Sequence, residues 1–411
     1  MSYNLSLYAD ITKVINDKSY AKAKHINVRK MNNCSLYMLN YDKSKINKEN
    51  IKTLGLFRSV ITDGEKVLCF SCPKAIDYTE FMKNVSYDKV IVEDFVEGTM
   101  INLFYYNEEW MCSTKSIIGA KCKFFRDYPK TYRTLFLEAM ESSNLEFNML
   151  NKSYCYSFIL QHPENRIVVP FSEKRLIIVN MYKCINMEVE EVNIKLAFPG
   201  YNGLDDNDPK VYLPKRMNEV TTYENYKGKS YGELYDYFTS LNLDYKIMGV
   251  VLKHGKYRTK IWNSNYLKVK LLRGNNPKIQ YQYYNLLKDK KLREFLYYYP
   301  EYNQLFNTYK MDLFNWTEQL WKNYKSCYIR KEAPLKTFPV QFRTHMFNIH
   351  QDYINHLKPS EKRTDKLFII NYVNSLEPAQ LMFSINYVFR DMEIDETKKN
   401  YNILSNQLNS V

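Results

Sequence analysis

Residues 90–120 read VIVEDFVEGTMINLFYYNEEWMCSTKSIIGA, and the interpretation of the whole chain turns on them. An acidic-glycine turn, Glu97-Gly98, is followed by a run from Thr99 to Tyr106 rich in aromatic and branched residues. A polar loop at Asn107, Glu108 and Glu109 leads to a return run that ends in Ser113-Thr114-Lys115. Residues of this kind suit a pleated, half-buried surface, and two such runs joined by a short polar loop predict an antiparallel hairpin.

The flanking chain extends the pattern. Upstream, the alternation of Phe57, Ser59 and Ile61 predicts a strand, Thr62-Asp63-Gly64-Glu65 a turn, and Lys66 to Phe70 a partner strand; Pro73 then ends the ladder, because proline has no amide hydrogen to give. Downstream, Phe124 to Ser143 predict a helix with Tyr132, Leu135, Phe136 and Ala139 on one face. YCYSFILQHPENRIVVPF and LIIVNMYKC predict strands broken at His162-Pro163, a polar loop covers Gly200 to Asp208, and Tyr231 to Leu241 predict a helix. Residues 246–270 predict a last β region around a His254-Gly255 turn. From Asn276 onward only helical periodicity is evident, broken at Pro300, Pro334, Pro359 and Pro378. The expected division is an α+β domain, residues 1–275, and an all-helical domain, residues 276–411.

The 411 residues carry a net charge of +14, which favours a polyanionic partner, nucleic acid before an anionic membrane surface. Lys, Asn, Ile and Tyr, all heavily used, share A/T-rich codons, and a coding bias of that kind is the plain alternative explanation for much of the charge and for most of the 38 tyrosines. Eight cysteines lie mostly in apolar runs, as expected of reduced thiols in a cytoplasmic compartment. Cys69-x-x-Cys72 has neither a second pair nor a nearby histidine, so zinc is not expected. Neither a signal peptide nor a membrane-spanning run is expected.

In sequence and order, the hairpin and its flanks resemble the core of covalent nucleotidyltransferases, the superfamily of ATP-dependent ligases and mRNA capping enzymes. The chain looks most like the T4 RNA ligase 1-like family, in the form associated with large DNA viruses. GLFRSVI and CFSCPKAI resemble the segment before the nucleophile, and YSFILQHPENRIV resembles a mid-domain strand-turn-strand. MGVVLK and YLKVK resemble the last two motifs, normally Glu-Gly-x-Val-x-Lys and Lys-x-Lys. The resemblance implies an α+β nucleotidyltransferase core (ATP-grasp-like, of ligase and capping-enzyme type) of antiparallel sheets with helices, then a helical C-terminal domain. That family begins the hairpin with Lys-x-Asp/Glu-Gly, and the lysine attacks the α-phosphate of the nucleotide.

Here the tetrapeptide is Phe95-Val96-Glu97-Gly98, and phenylalanine cannot form a phosphoramidate. The resemblance also puts Ile159 and Met248 where the family has carboxylates. What it leaves is mostly cationic: Lys74, Glu97, Gly98, Lys115, Lys253, Lys268 and Lys270 as the residues implied to contact nucleotide or phosphate, and Arg58, Lys121 and Arg166 to contact nucleic acid. A ligase-like protein without catalysis that binds nucleic acid or nucleotide, RNA rather than DNA, is the expectation. The alternatives are an active ligase or capping-type enzyme using a displaced lysine, Lys115 or Lys121, with ATP and Mg2+, and a structural or assembly protein that docks a protein partner through the helical domain. If the chain is viral, its compartment is the host cytoplasm.

Other constellations have plain explanations. Glu93, Asp94 and Glu97 form an acidic cluster more typical of a solvated turn than of a metal site. His345 and His350 are five apart, not the four of a helical metal pair. Tyr297-Tyr298-Tyr299, Trp316 and Trp321 at helical spacing are more often core than base-stacking platforms.

Overall fold

In a computed structural model, which describes residues 1–32, 34–123, 129–198, 210–217, 230–276 and 278–388, the quoted stretch contributes strands to two of the three sheets. The strands, in chain order, are β1 (Ser2–Asn4), β2 (Ile26–Lys30), β3 (Tyr37–Tyr41), β4 (Val60–Thr62) and β5 (Val67–Phe70). Then come β6 (Ile91–Asp94), β7 (Thr99–Tyr106), β8 (Glu109–Thr114), β9 (Tyr154–Gln161) and β10 (Arg175–Ile185). The last are β11 (Glu188–Glu191), β12 (Val211–Tyr212), β13 (Gly249–His254) and β14 (Tyr257–Trp262). Helices α1 (Ile11–Asn16), α2 (Lys18–Ala23), α3 (Tyr78–Asn84), α4 (Tyr132–Ser142), α5 (Ile194–Ala197), α6 (Tyr231–Thr239) and α7 (Ser264–Arg273) accompany them.

Three sheets result. The largest runs β1-β11-β10-β9-β7-β8 with β12 beside β10; a second runs β14-β13-β6 and a third β2-β3-β4-β5. Because side chains alternate across a strand, each sheet has one face in an apolar core. The large sheet lays Ile101, Leu103, Phe158, Leu160, Leu176 and Ile178 against Leu135, Phe136 and Ala139 of α4. The β14-β13-β6 sheet lays Val250, Leu252 and Ile261 against Phe81 of α3 and Leu234 and Phe238 of α6. Its other face, free of that core, is where the chemistry-bearing side chains gather.

The chain divides into two compact units, Met1–Leu271 and Leu272–Val411. The second contains α8 (Ile279–Lys288), α9 (Leu292–Tyr298), α10 (Asn303–Tyr324), α11 (Val340–Asp352), α12 (Lys366–Ser375) and α13 (Pro378–Ile385). Pro378 opens α13, where a missing amide hydrogen costs nothing, and Glu377 with Gln380 closes a capping box there. Trp316 stacks on Phe342 and Tyr299 on Phe295 inside this unit, as core aromatics do, while Tyr297 is exposed. His345 is held by the Tyr372 hydroxyl at 3.0 Å and the Ser384 hydroxyl at 2.8 Å. Among the described residues no helix is long and apolar enough to cross a membrane.

Several expectations are corrected. Val168 and Val169 do not form a strand: their amides donate to the Glu97 carboxylate at 2.7 to 3.1 Å and are unavailable to a ladder. The last β region ends at Trp262, and Lys268 and Lys270 belong to α7. Asn263 turns the chain there, its amide donating to the Asp244 and Ile247 carbonyls at 2.8 Å while its side-chain oxygen accepts from Asn265 N. The helix expected from Phe124 begins at Tyr132, capped by the Thr131 hydroxyl; residues 124–128 and the expected loop at 200–208 lie outside the described residues.

Gly98 explains the tightness of the hairpin entry. Its φ is +144°, and a Cβ there would stand 2.5 Å from the Leu160 carbonyl oxygen and 2.6 Å from Ile159 Cγ2. Gly98→Ala should therefore cost about 3 kcal/mol, combining backbone strain with displacement of β9. Urea unfolding of the two proteins measures it, and a loss below about 1 kcal/mol would mean that the turn can relax.

Candidate functional site

The open face of the β14-β13-β6 sheet is built by register. β13 pairs Val251 with Glu93 of β6 and with Lys260 of β14, and pairs Lys253 with Ile91 and Arg258. Period-two alternation then puts Glu93, Val251, Lys253, Arg258, Lys260 and Trp262 on one side. Phe95 joins them, since its amide donates to the Gly249 carbonyl at 3.0 Å and prolongs the β6 edge. Across from this face stand Gly98, Met100, Ile159 and Val179 of the large sheet, and the two enclose a cavity of about 220 Å³. A wider cavity of about 460 Å³ opens beside it and shares Glu93, Lys253 and Arg258; Cys72 and Lys74 line this second space.

Phe95, Ile159 and Met248, where the resemblance expects ionisable side chains, all line the smaller cavity. Phe95 packs edge-on against Trp262 with ring centroids 4.7 Å apart, and the Lys260 amine lies 3.9 Å from the centroid of its ring. Lys260 is thus the amine nearest to the place where the resemblance calls for a nucleophile. Burial, then the Arg258 and Arg58 guanidinium groups, push its pKa down to about 6. An unliganded cavity therefore holds this lysine neutral near pH 7. Cys72 accepts from Arg58 Nη1 at 3.1 Å and Arg258 Nη1 at 3.4 Å. Burial raises its pKa, but Arg258, Arg58, Lys260 and Lys253 outweigh that and bring it to about 7.

The expected site residues separate into groups. Lys253 and Arg58 line the smaller cavity and Lys74 the larger one. Lys253 is paired with Glu93 at 2.6 Å. Burial, with Arg58 and Lys43, lowers the pKa of Lys74. Lys115 lies over the Tyr41 ring at 5.3 Å, and burial with Arg58, Lys43 and Lys74 brings its pKa to about 8. Asn40 ties this corner together, donating to the carbonyls of Arg58 and Lys115.

Elsewhere the placement differs from the sequence reading. Glu97 is buried beneath the Val168 and Val169 amides, and burial raises its pKa to about 7 against those hydrogen bonds. Its carboxylate braces the turn. Arg166 Nε donates to the Val168 carbonyl in the same loop. On α7, residues two apart point about 200° apart around the axis, so Lys268 is exposed while Lys270 turns in over Trp262 at 4.7 Å. Lys121, the other candidate for a displaced nucleophile, lies beyond the end of the hairpin. The register pairs Ile101 with Thr114, β8 ends there, and the chain folds back with Ser113 bridging Ile118, leaving Lys121 exposed.

Sequence reasoning passed over Lys260 and Arg258. Their signal was present in the alternation of Arg258, Lys260 and Trp262 with Thr259 and Ile261. It also passed over Glu138, His162 and Glu164, whose ligand atoms lie within 4.8 Å of one another. Lys130 bridges Glu138 and Glu164 at 2.9 and 2.7 Å and Lys174 reaches Glu138 at 3.1 Å, so lysine ammonium groups already neutralise these acids. The eight cysteines are all free.

A divalent cation needs several hard oxygen ligands. The carboxylates lining the smaller cavity are those of Glu93 and Asp94; Glu93 is engaged by Lys253, and Ile159 and Met248 offer no oxygen. This set does not fit Mg2+. Phosphate fits well: Arg58, Lys253, Arg258 and Lys260 converge on one space and outnumber its carboxylates.

No protein-family model matches the chain. An RNA ligase of Rhodothermus phage RM378 is 26% identical over 195 residues, which cover 42% of this chain and 44% of that protein. The chain thus spans less than half the length of the curated relative it matches. Among solved structures, two forms of an archaeal ATP-dependent RNA ligase superpose with TM-scores of 0.37 and 0.39 at 12% and 13% identity, each covering 69% of this chain and 68% of that one. A putative ATP-dependent DNA ligase from Aquifex aeolicus gives 0.35 at 14% identity, covering 75% of this chain and 80% of that one.

Proposed function

We propose that this RNA ligase-like protein binds the phosphates of a nucleotide or of a nucleic-acid end in the cavity beside Phe95, and forms no lysyl-nucleotide at position 95. The convergence of Arg58, Lys253, Arg258 and Lys260 on that cavity carries the reading. Guanidinium and ammonium groups make charge-assisted hydrogen bonds to phosphate oxygens, strengthened by the low local dielectric. The Phe95 ring has no lone pair with which to attack phosphorus, and Ile159 and Met248 do not hold a metal. RNA is the favoured nucleic acid because the phage relative is an RNA ligase, and a cytoplasmic compartment is in keeping with eight free cysteines. Lys74 and Lys115 continue the positive potential beyond the cavity towards a longer phosphate chain.

One observation favours a second reading, that of an active enzyme with a displaced nucleophile. Lys260 rather than Lys115 or Lys121 stands against Phe95, and its amine is held neutral. In that case its nitrogen lone pair attacks the α-phosphorus of a nucleoside triphosphate, the new P–N bond replaces the P–O bond to the β-phosphate, pyrophosphate leaves, and the amine proton passes to solvent.

Incubation with α-labelled ATP or GTP, in Mg2+ or Mn2+, separates the two. The expected result is label retained on native filters and lost on denaturation. An acid-labile label that survives denaturation and disappears in Lys260→Ala would establish the second reading, and label retained by neither treatment would defeat both.

A further inference from the structure

The helical unit carries a stack of planar rings that runs from its core, where Tyr324 is buried, to the half-buried Tyr328 and Tyr353. His350, near the end of α11, is sandwiched between Tyr328, with centroids 3.9 Å apart and planes at 18°, and Tyr353, at 5.8 Å and 22°. Tyr324 and Trp321 extend the series, with centroids 6.2 Å apart and planes at 18°. The chain makes this arrangement with two π-helical turns, Lys325–Ile329 directly after α10 and Tyr353–Leu357 directly after α11. A π turn inserts a residue into the helical repeat and re-aims the side chains on it, and such turns recur at functional sites. Here one turn supplies Tyr328 and the other Tyr353, so both distortions serve the same sandwich.

Cations surround the stack. Lys325 lies 5.1 Å from the Trp321 centroid, and Lys358 is close enough to lower the pKa of His350, after burial, the larger cause. Lys358, Lys362 and Arg363 are exposed. Of the nearby acids, Asp365 is engaged in capping α12 through Phe368 N at 2.8 Å and Glu318 is paired with Lys366, while Asp352 is half-buried and Glu361 is exposed between Lys358 and Lys362. Lys358, Lys362 and Arg363 outnumber the one exposed acid among them, Glu361, so this surface keeps a net positive charge for a ligand.

We propose that the Tyr328–His350–Tyr353 stack is a track for single-stranded nucleic acid, with a base laid on the outer face of Tyr353 and the adjoining phosphates met by Lys358, Lys362 and Arg363. Stacked rings beside unpaired cations suit a strand whose bases are splayed, since every base offers a π face and every linkage a charge. A duplex hides its faces, and a protein segment has no reason to repeat a planar, charge-flanked spacing. None of its residues lines the cavity beside Phe95.

The test uses the full chain and fluorescently labelled oligonucleotides of about twelve nucleotides, one with bases and one abasic with the same backbone. Anisotropy should show the intact strand bound at least about fivefold more tightly than the abasic strand, and Tyr353→Ala should remove that difference while Tyr353→Phe keeps it. A Lys358→Glu/Lys362→Glu variant should weaken both strands and flatten the salt dependence. The cavity variant Lys253→Met should retain the preference for bases. Equal affinity for the two strands, a Tyr353→Ala protein that still prefers bases, or indifference to the double charge reversal would each overturn the proposal. Should Tyr353→Ala fail to fold, the charge-reversal variant decides.

Discussion

Lys260→Met should yield a protein that is more stable near neutral pH and no longer retains phosphate in the cavity. In the unfolded chain this lysine titrates near 10.5, whereas in the fold its pKa is about 6. Between those values the unfolded chain binds a proton that the folded chain does not, so the lysine makes stability rise with pH and penalises folding near pH 7. Methionine has a similar reach, keeps an apolar contact with the Phe95 ring and does not titrate. Allowing for relaxation and water entry, the gain should be on the order of 2 kcal/mol, or about 5 °C in Tm. It should shrink as the pH approaches 10, where the wild-type penalty has vanished. Melting curves near pH 7 and pH 9.5 check both parts; a variant less stable at neutral pH, or a gain indifferent to pH, would sink the account. A residue that costs stability and sits where it can meet phosphate is a residue kept for binding.

Much of this was readable from the chain because the signals were local. The Glu97-Gly98 turn, the alternating runs around Asn107 and the Asp63-Gly64 turn each depend on neighbours within a few residues, and β4, β5, β7 and β8 fall there. The bracing of Glu97 by Val168 and Val169 was not readable, because it joins groups 71 and 72 residues apart. For the same reason Glu97 looked like a ligand-facing carboxylate while the fold uses it beneath a loop. Lys268 and Lys270 misled because a Lys-x-Lys spacing reads alike on strand and helix, and only the Asn263 turn, fixed by carbonyls of Asp244 and Ile247, decides between them. Once α7 begins at Ser264, β14 is the last strand and Lys260 its lysine facing the cavity.

The pH dependence of polyphosphate binding follows from the same side chain. Inorganic tripolyphosphate, offered to the wild-type protein, should bind with net proton uptake, its affinity rising as the pH falls from about 9 to about 6.5. The sign is set by Lys260, neutral in the unliganded cavity at about 6. A polyanion favours the ammonium form, so the bound pKa is higher than the free one, and protons are taken up between the two. One coupled proton permits at most a tenfold gain per pH unit, so about tenfold over the whole range is a modest expectation. Tripolyphosphate takes up a proton of its own within this range, so the contribution of the lysine is read as the difference from a variant that binds the same ligand without titrating. Lys260→Arg distinguishes this linkage from general electrostatics: guanidinium stays protonated throughout, so binding should persist while most of the proton uptake disappears. Lys115, with a pKa of about 8 outside the lining of the cavity, would contribute a residual slope only if the ligand extends towards Tyr41. Calorimetry in two buffers of different ionisation heat counts the protons directly. Proton release on binding, or an arginine variant with the wild-type profile, would remove Lys260 from the phosphate site.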